Sequence, residues 1–316
     1  MVVIAEQIII LAIISIIGYI AFKVKAVNAE HNNGLVKIII KITLPLLVFT
    51  SFAGAEPTRE MISNFPFIIA VAFLSVFVFY FLSTISAKAI KLDKENTALH
   101  NAQTMFGNTV FLGYPLLNAV YPGGEGLMYA VIFHLGHDCL VWTWGIYILN
   151  KSSKIKKTNT FLNLINPTTI SFLTGIIFLI FKIKLPEIIF NPISAVGHTT
   201  IYLSMIYVGI ILAQVRAKSL ISNFRSYVLS FNKLILGPII LCVIFYVLQM
   251  LGLEISEKAL VSSILQAAMP CMIIISVMAK DMELNATQAV ENIFVSTVLS
   301  LITLPVIFYL VSFVFT

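Results

Sequence analysis

The chain has 316 residues, of which 59% are hydrophobic and only 11% charged, with a mean hydropathy of +1.00. A soluble domain carries about 25% charged residues, so the composition excludes a soluble globular protein and predicts an all-α polytopic membrane protein. The net charge of +6 falls in short loops between apolar runs, without aromatic interleaving. That pattern points to the lipid bilayer as partner and excludes nucleic acid.

A transmembrane helix needs roughly 20 apolar residues. In chain order the sequence predicts ten, at residues 3–22, 34–54, 64–87, 97–120, 126–149, 164–182, 187–213, 228–251, 259–279 and 288–313. The first is long and has no basic segment before it, so it reads as a retained helix and not a cleaved signal. The second follows Asn32-Asn33-Gly34, which reads as a helix cap. It carries Lys37 and Lys41 one turn apart. Lys37 is expected to snorkel to the headgroups, while the deeper Lys41 could help attract an anion. Pro45 in this span and Pro115 in the fourth predict helix breaks.

With the N-terminus outside, thirteen Lys and Arg fall in inside loops and four (Arg59, Lys182, Lys184, Lys258) in outside loops. That bias predicts a multi-pass protein of the cytoplasmic membrane with both termini outside. Residues 150–163 form a basic cytoplasmic loop between a first five-helix repeat, residues 1–149, and a second, residues 164–316. Five is odd, so the second half would enter the membrane in the opposite sense, as an inverted repeat. Setting Ala98-Leu99 against Ala259-Leu260 brings Thr109 opposite Pro270.

That alignment joins the two most unusual stretches. Gly107-Asn108-Thr109 lies within the fourth span and Ala267-Ala268-Met269-Pro270 within the ninth. Helix-breaking residues at membrane depth must have their backbone groups satisfied in some other way. Paired breaks in matching spans are where secondary transporters bind substrate. The freed N–H ends carry partial positive charge and suit a carboxylate, and Asn108 adds a side-chain amide. No Lys or Arg lies within these two spans. The candidate substrate-binding residues are Gly107, Asn108, Thr109, Met269, Pro270, Cys271 and Gln266, the last lying one turn before Pro270.

In the fifth span His134, His137 and Asp138 share one helix face and could relay protons. They are too few for a closed metal site. The three cysteines read as packing residues, and no metal or cofactor is expected. The sequence has no HExxH, no GxSxG with a partnered His, and no P-loop, which argues against an enzyme and for gradient-driven or passive transport.

The same residues carry a family resemblance. The run from Gly107 to Leu117, followed by Tyr121-Pro122, resembles the fourth span of the auxin efflux carrier family. The run from Ala267 to Pro270 with Met278-Ala279-Lys280-Asp281 resembles its ninth, and Leu44 to Phe49 its second. The resemblance implies two inverted five-helix repeats with broken, crossing fourth and ninth helices, an elevator-like movement, a homodimer, and a small organic anion as substrate. Plant members carry auxin, and bacterial members are associated with malate, malonate and related carboxylates. By position, Asn108 matches the family's substrate-contacting asparagine and Pro270 its crossing proline. Gly107 stands where the plant carriers have proline, and their long cytoplasmic loop is absent. Proton or sodium are the candidate coupling ions. The related bile-acid/sodium symporter fold is the alternative, and an intramembrane enzyme a more distant one.

Overall fold

The computed structural model describes residues 2–56, 58–153, 155, 165–214 and 223–315. The rest of the basic loop expected at 150–163, and Arg216 and Lys218 of the inside count, lie outside the described residues. The described residues are helical apart from turns and one isolated bridge. The helices are α1 (Val2–Lys23), α2 (Ala29–Ile38), α3 (Leu44–Ala53), α4 (Arg59–Ser63), α5 (Phe65–Ala89), α6 (Lys94–Met105), α7 (Tyr114–Val120) and α8 (Glu125–Leu140). They continue as α9 (Ile146–Ser152), α10 (Pro167–Ile180), α11 (Glu187–Gln214), α12 (Phe224–Phe231), α13 (Gly237–Met250), α14 (Glu257–Ala267), α15 (Ile273–Asp281) and α16 (Ala286–Phe315).

Among the described residues, five helical stretches are long and apolar enough to cross a membrane: Gly34–Ala53, Phe65–Ala89, Glu187–Gln214, Phe224–Met250 and Ala286–Phe315. Ile9–Lys23, Thr109–Val120 and Pro167–Ile180 are shorter apolar stretches. Outward-facing Ile13, Phe81, Ile302 and Phe313 are all more than half exposed, which is stable only against lipid. The chain is a multi-pass membrane protein.

Adjacent helices join without interruption through π-helical turns at Ile39–Thr43, Val141–Gly145 and Asn232–Leu236, and a fourth π turn, Thr109–Gly113, leads directly into α7. Three of these turns directly precede an X-Pro pair: Leu44-Pro45, Tyr114-Pro115 and Gly237-Pro238. Proline removes one helical hydrogen bond and its ring collides with the carbonyl four residues back. A widened turn shifts the pairing to the fifth residue, as in Leu44 N–H to Ile39 O and Gly237 N–H to Asn232 O. Pro45 and Pro115 therefore do not break their helices, contrary to the sequence expectation, because a π turn absorbs each of them. The cap expected at residues 32–34 lies instead at Asn28, whose side chain accepts the His31 N–H at 3.0 Å. Residues 32–34 are inside α2.

The chain forms two compact units, and each draws on both halves of the sequence. The first comprises residues 1–65, 110–131 and 162–214. Its centre is the pairing of α1 with α11. A Cβ on Gly18 would lie 2.1 Å from the Ile206 carbonyl oxygen, and one on Gly209 1.8 Å from that of Ser15. Only glycine lets these backbones approach so closely, as in other small-residue membrane helix pairs. The second unit comprises residues 66–109, 132–161 and 215–316 and is internally more polar. Gln103 of α6 donates to the Ala289 carbonyl and accepts from Asn292, both on α16. Ser226 of α12 donates to Asn292 in turn. His100, Ser86 and Asn232 form a second, partly buried chain across α6, α5 and the π turn before α13. Gln103 thus ties α6 to α16.

Candidate functional site: the junction of two interrupted helices

Within the second unit the stretches predicted as the fourth and ninth spans are both interrupted where the sequence carries Gly107-Asn108 and Pro270. Helix α6 ends at Met105, and Phe106 is extended, with φ −106° and ψ 119°. Helix α14 ends at Ala267, and α15 begins at Ile273 after an extended Met272. The two gaps meet as an antiparallel bridge between Gly107 and Cys271. The Asn108 N–H donates to the Pro270 carbonyl at 2.7 Å, and the Met272 N–H donates to the Phe106 carbonyl at 3.0 Å. Gly107 and Cys271 are thus the non-hydrogen-bonded pair between two ladder bonds. Each interruption satisfies backbone groups of the other, as burial at membrane depth demands.

Side chains from other helices complete the junction. The Gly107 N–H donates to Nε2 of His137 at 3.2 Å. That nitrogen must therefore hold a lone pair, which makes the ring neutral with its hydrogen on Nδ1. Thr109 Oγ1 and His134 Nδ1 lie 2.9 Å apart. The Cys271 N–H donates to Ser296 Oγ of α16 at 3.1 Å, and the Thr109 N–H turns back onto the Gly107 carbonyl at 2.9 Å. The amides of Gly107, Asn108, Thr109, Cys271 and Met272 are consequently all engaged within the protein. Helix α15 has no side-chain cap at Met272, so its first-turn amides lack the partners that a cap would give.

Seven candidate residues came from the two spans, and the junction joins Gly107, Asn108, Thr109, Met269, Pro270 and Cys271 directly. Gln266 is on the last turn of α14, is 1% exposed, and has no hydrogen-bond partner on either side-chain atom among the described residues. A buried amide left in that state is costly and calls for an explanation. His134 and His137, read from sequence as a separate relay, both bond to the junction itself. Asp138 is half-buried on the same helix. Lys41 is exposed on a π turn and belongs to the other unit.

Sequence reasoning missed Lys233. It stands in the π turn Asn232–Leu236 and is 1% exposed. Its Nζ donates to the carbonyl of Met105, the last residue of α6, at 3.3 Å, and lies 4.1 Å from the centroid of the Phe79 ring. A Cβ on Gly107 would come 3.2 Å from this Nζ and 3.0 Å from the Met269 carbonyl oxygen. Glycine at 107 leaves room for both. No cation lies in the fourth or ninth span, as the sequence says, yet the eighth span delivers one to their junction.

Interrupted apolar helices that meet in a buried, polar junction mark a membrane carrier. A family model described as membrane transport protein matches the chain at residues 3–162 and 152–308. The chain belongs to this family, the auxin efflux carrier family of the resemblance. It is 26% identical to an uncharacterized transporter of Methanothermobacter thermautotrophicus, with 95% of this chain and 96% of the relative covered. It is 24% identical to an uncharacterized transporter of Methanocaldococcus jannaschii, with the same coverage.

Proposed function

We propose that this protein is a secondary carrier for a small organic anion, a mono- or dicarboxylate, working in the cytoplasmic membrane by elevator-like alternating access. The single observation that carries the reading is the paired interruption at Gly107 and Cys271, in a chain of a transport family. In this reading the ten predicted spans form two inverted five-helix repeats with both termini outside, and the protein is a homodimer.

The uncapped N-terminus of α15 offers amides to a carboxylate. The side chains of Asn108, Thr109 and Gln266 surround that charge, and Gln266 gains the hydrogen bonds it lacks. His134, His137 and Asp138 are the candidate proton path. A proton arriving at Nε2 of His137 would displace the Gly107 N–H and loosen the fourth-span interruption, which would link protonation to substrate release.

The test is uptake of a panel of mono- and dicarboxylates by proteoliposomes, with and without imposed pH gradients. Replacing Asn108 by Ala should reduce uptake by about tenfold or more, the cost of one hydrogen bond to a charged group. Equal uptake by the variant and the wild type would remove Asn108 from the site. A steady single-channel current in a planar bilayer would sink the carrier reading.

A further inference from the structure

A buried ammonium with no acid beside it needs an explanation. Among the described residues no carboxylate lies within 4.0 Å of Lys233 Nζ. An unpaired charge at membrane depth is expensive and marks function by default. What Lys233 has in place of a carboxylate is the C-terminal end of α6, where the last carbonyls are unsatisfied and the helix dipole places partial negative charge. It also has the π face of Phe79, a second cation-attracting surface.

Broken-helix carriers use such half-helix C-termini and unwound carbonyls to coordinate their coupling cation. In this chain those carbonyls already have donors. Met105 O takes Lys233, Phe106 O takes the Met272 N–H, Gly107 O takes the Thr109 N–H, and Pro270 O takes the Asn108 N–H. The surroundings hold the ammonium in place. Asn232 anchors the π turn to Ser86 at 2.7 Å. Gly237 leaves room for the Phe79 ring, which a Cβ there would approach to 1.9 Å. Gly107 leaves room for Nζ itself.

We propose that Lys233 is a tethered cation: its ammonium occupies the position beside the Met105 carbonyl, at the end of α6, that a coupling metal cation would otherwise take, so the carrier works without sodium. The consequence for coupling rests on the carrier reading, whereas the cation site stands on the junction's geometry alone. The titratable groups that interact electrostatically with Lys233 are His137 on α8 and Cys271 between α14 and α15. His134 and Asp138 lie further along α8, and His100 on α6.

The experiment needs no substrate. Thermal unfolding of the purified protein is measured in sodium chloride, choline chloride and methylammonium chloride. The wild type should unfold at one temperature in sodium and choline, and Lys233→Arg should behave the same way. Lys233→Ala, which empties the position, should unfold earlier in choline and recover on the order of 2–4 °C in sodium or methylammonium. Lys233→Ser, which leaves a hydroxyl beside the vacancy, serves as the second variant. Sodium stabilising the wild type over choline would overturn the proposal, and that arm is readable whichever variant folds. Variants that fold but respond to neither cation would overturn it too. Absence of carboxylate uptake alongside the expected cation response would overturn the carrier reading and leave the cation site standing.

Discussion

Around Gly107 the chain is interrupted by a residue that permits unwinding without enforcing it. Around Pro270 it is interrupted by one that cannot continue the helical ladder. The first interruption is kept open from outside, by His137 and His134 of α8 and by Lys233 of the π turn before α13. The second receives one side-chain bond from another helix, Ser296 to the Cys271 amide. The break at Gly107 is thus held by more side chains from other helices than the break at Pro270. Two breaks that meet in one bridge therefore have different vulnerabilities, and the softer one is where ionisable groups gather.

The largest effect is expected at Gly107. In Gly107→Val the added Cβ meets the Met269 backbone oxygen at 3.0 Å and Lys233 Nζ at 3.2 Å, and backbone on one side has little room to yield. Displacing reacting or binding groups by about 1 Å costs on the order of 10²-fold, so carboxylate uptake in proteoliposomes should fall by about that factor. Pro270→Ala keeps the bond from the Asn108 N–H to the residue-270 carbonyl and should cost only about 0.4–1 kcal/mol. If Pro270→Ala proves the more damaging of the two, the contrast between the breaks is reversed.

His137 sharpens the same contrast at intermediate size. His137→Phe leaves the buried Gly107 N–H without an acceptor, a loss of about 1–3 kcal/mol, to be read as a drop in unfolding temperature. His137→Gln can present a side-chain oxygen to that amide and should recover much of the loss. Recovery separates a hydrogen-bonding role for His137 from mere packing against Phe106 and Phe133, whose rings it also contacts. Equal destabilisation by Phe and Gln would show that the glycine break does not rely on this bond.

Both interruptions were legible in the sequence, because Gly-Asn and Pro stand out in apolar runs and their backbone groups had to go somewhere. That the two stretches would pair with each other was only implied by their matching positions. His134 and His137 were legible as ionisable residues on one helix face, but a single helix does not say which neighbour that face meets. Lys233 was hidden for a physical reason. A lysine near the end of a span is expected to snorkel, and the π turn Asn232–Leu236 instead buries Asn232, Lys233 and Leu234 together. The available signal was Gly237-Pro238 just downstream, since X-Pro after an apolar stretch is what the π turns of this chain accommodate. The same signal misled at Pro45 and Pro115, where proline suggested breaks and the helix widened instead.

The smallest effect lies at the start of the two leading helices, which also differ. Asp93 caps α6, its Oδ1 accepting the Asn96 N–H at 2.8 Å and its Oδ2 the Asn96 side-chain amide at 2.7 Å. Ser256, at the equivalent place before α14, makes no side-chain capping bond. Asp93→Ala should therefore cost up to about 1 kcal/mol, and Ser256→Ala almost nothing. The Asn96 backbone amide, and then its side chain, hold the Asp93 carboxyl below its ordinary value of 3.8. A depressed carboxylate stabilises the fold fully above its unfolded value and loses that contribution as pH falls through the folded one. Unfolding temperatures of wild type and Asp93→Ala, measured down a pH series, should stay apart near neutrality and converge below about pH 4. A constant gap down to the most acid point would mean that Asp93 acts through packing or through its neutral hydrogen bonds, and the glycine-broken span would then have no better electrostatic cap than the proline-broken one.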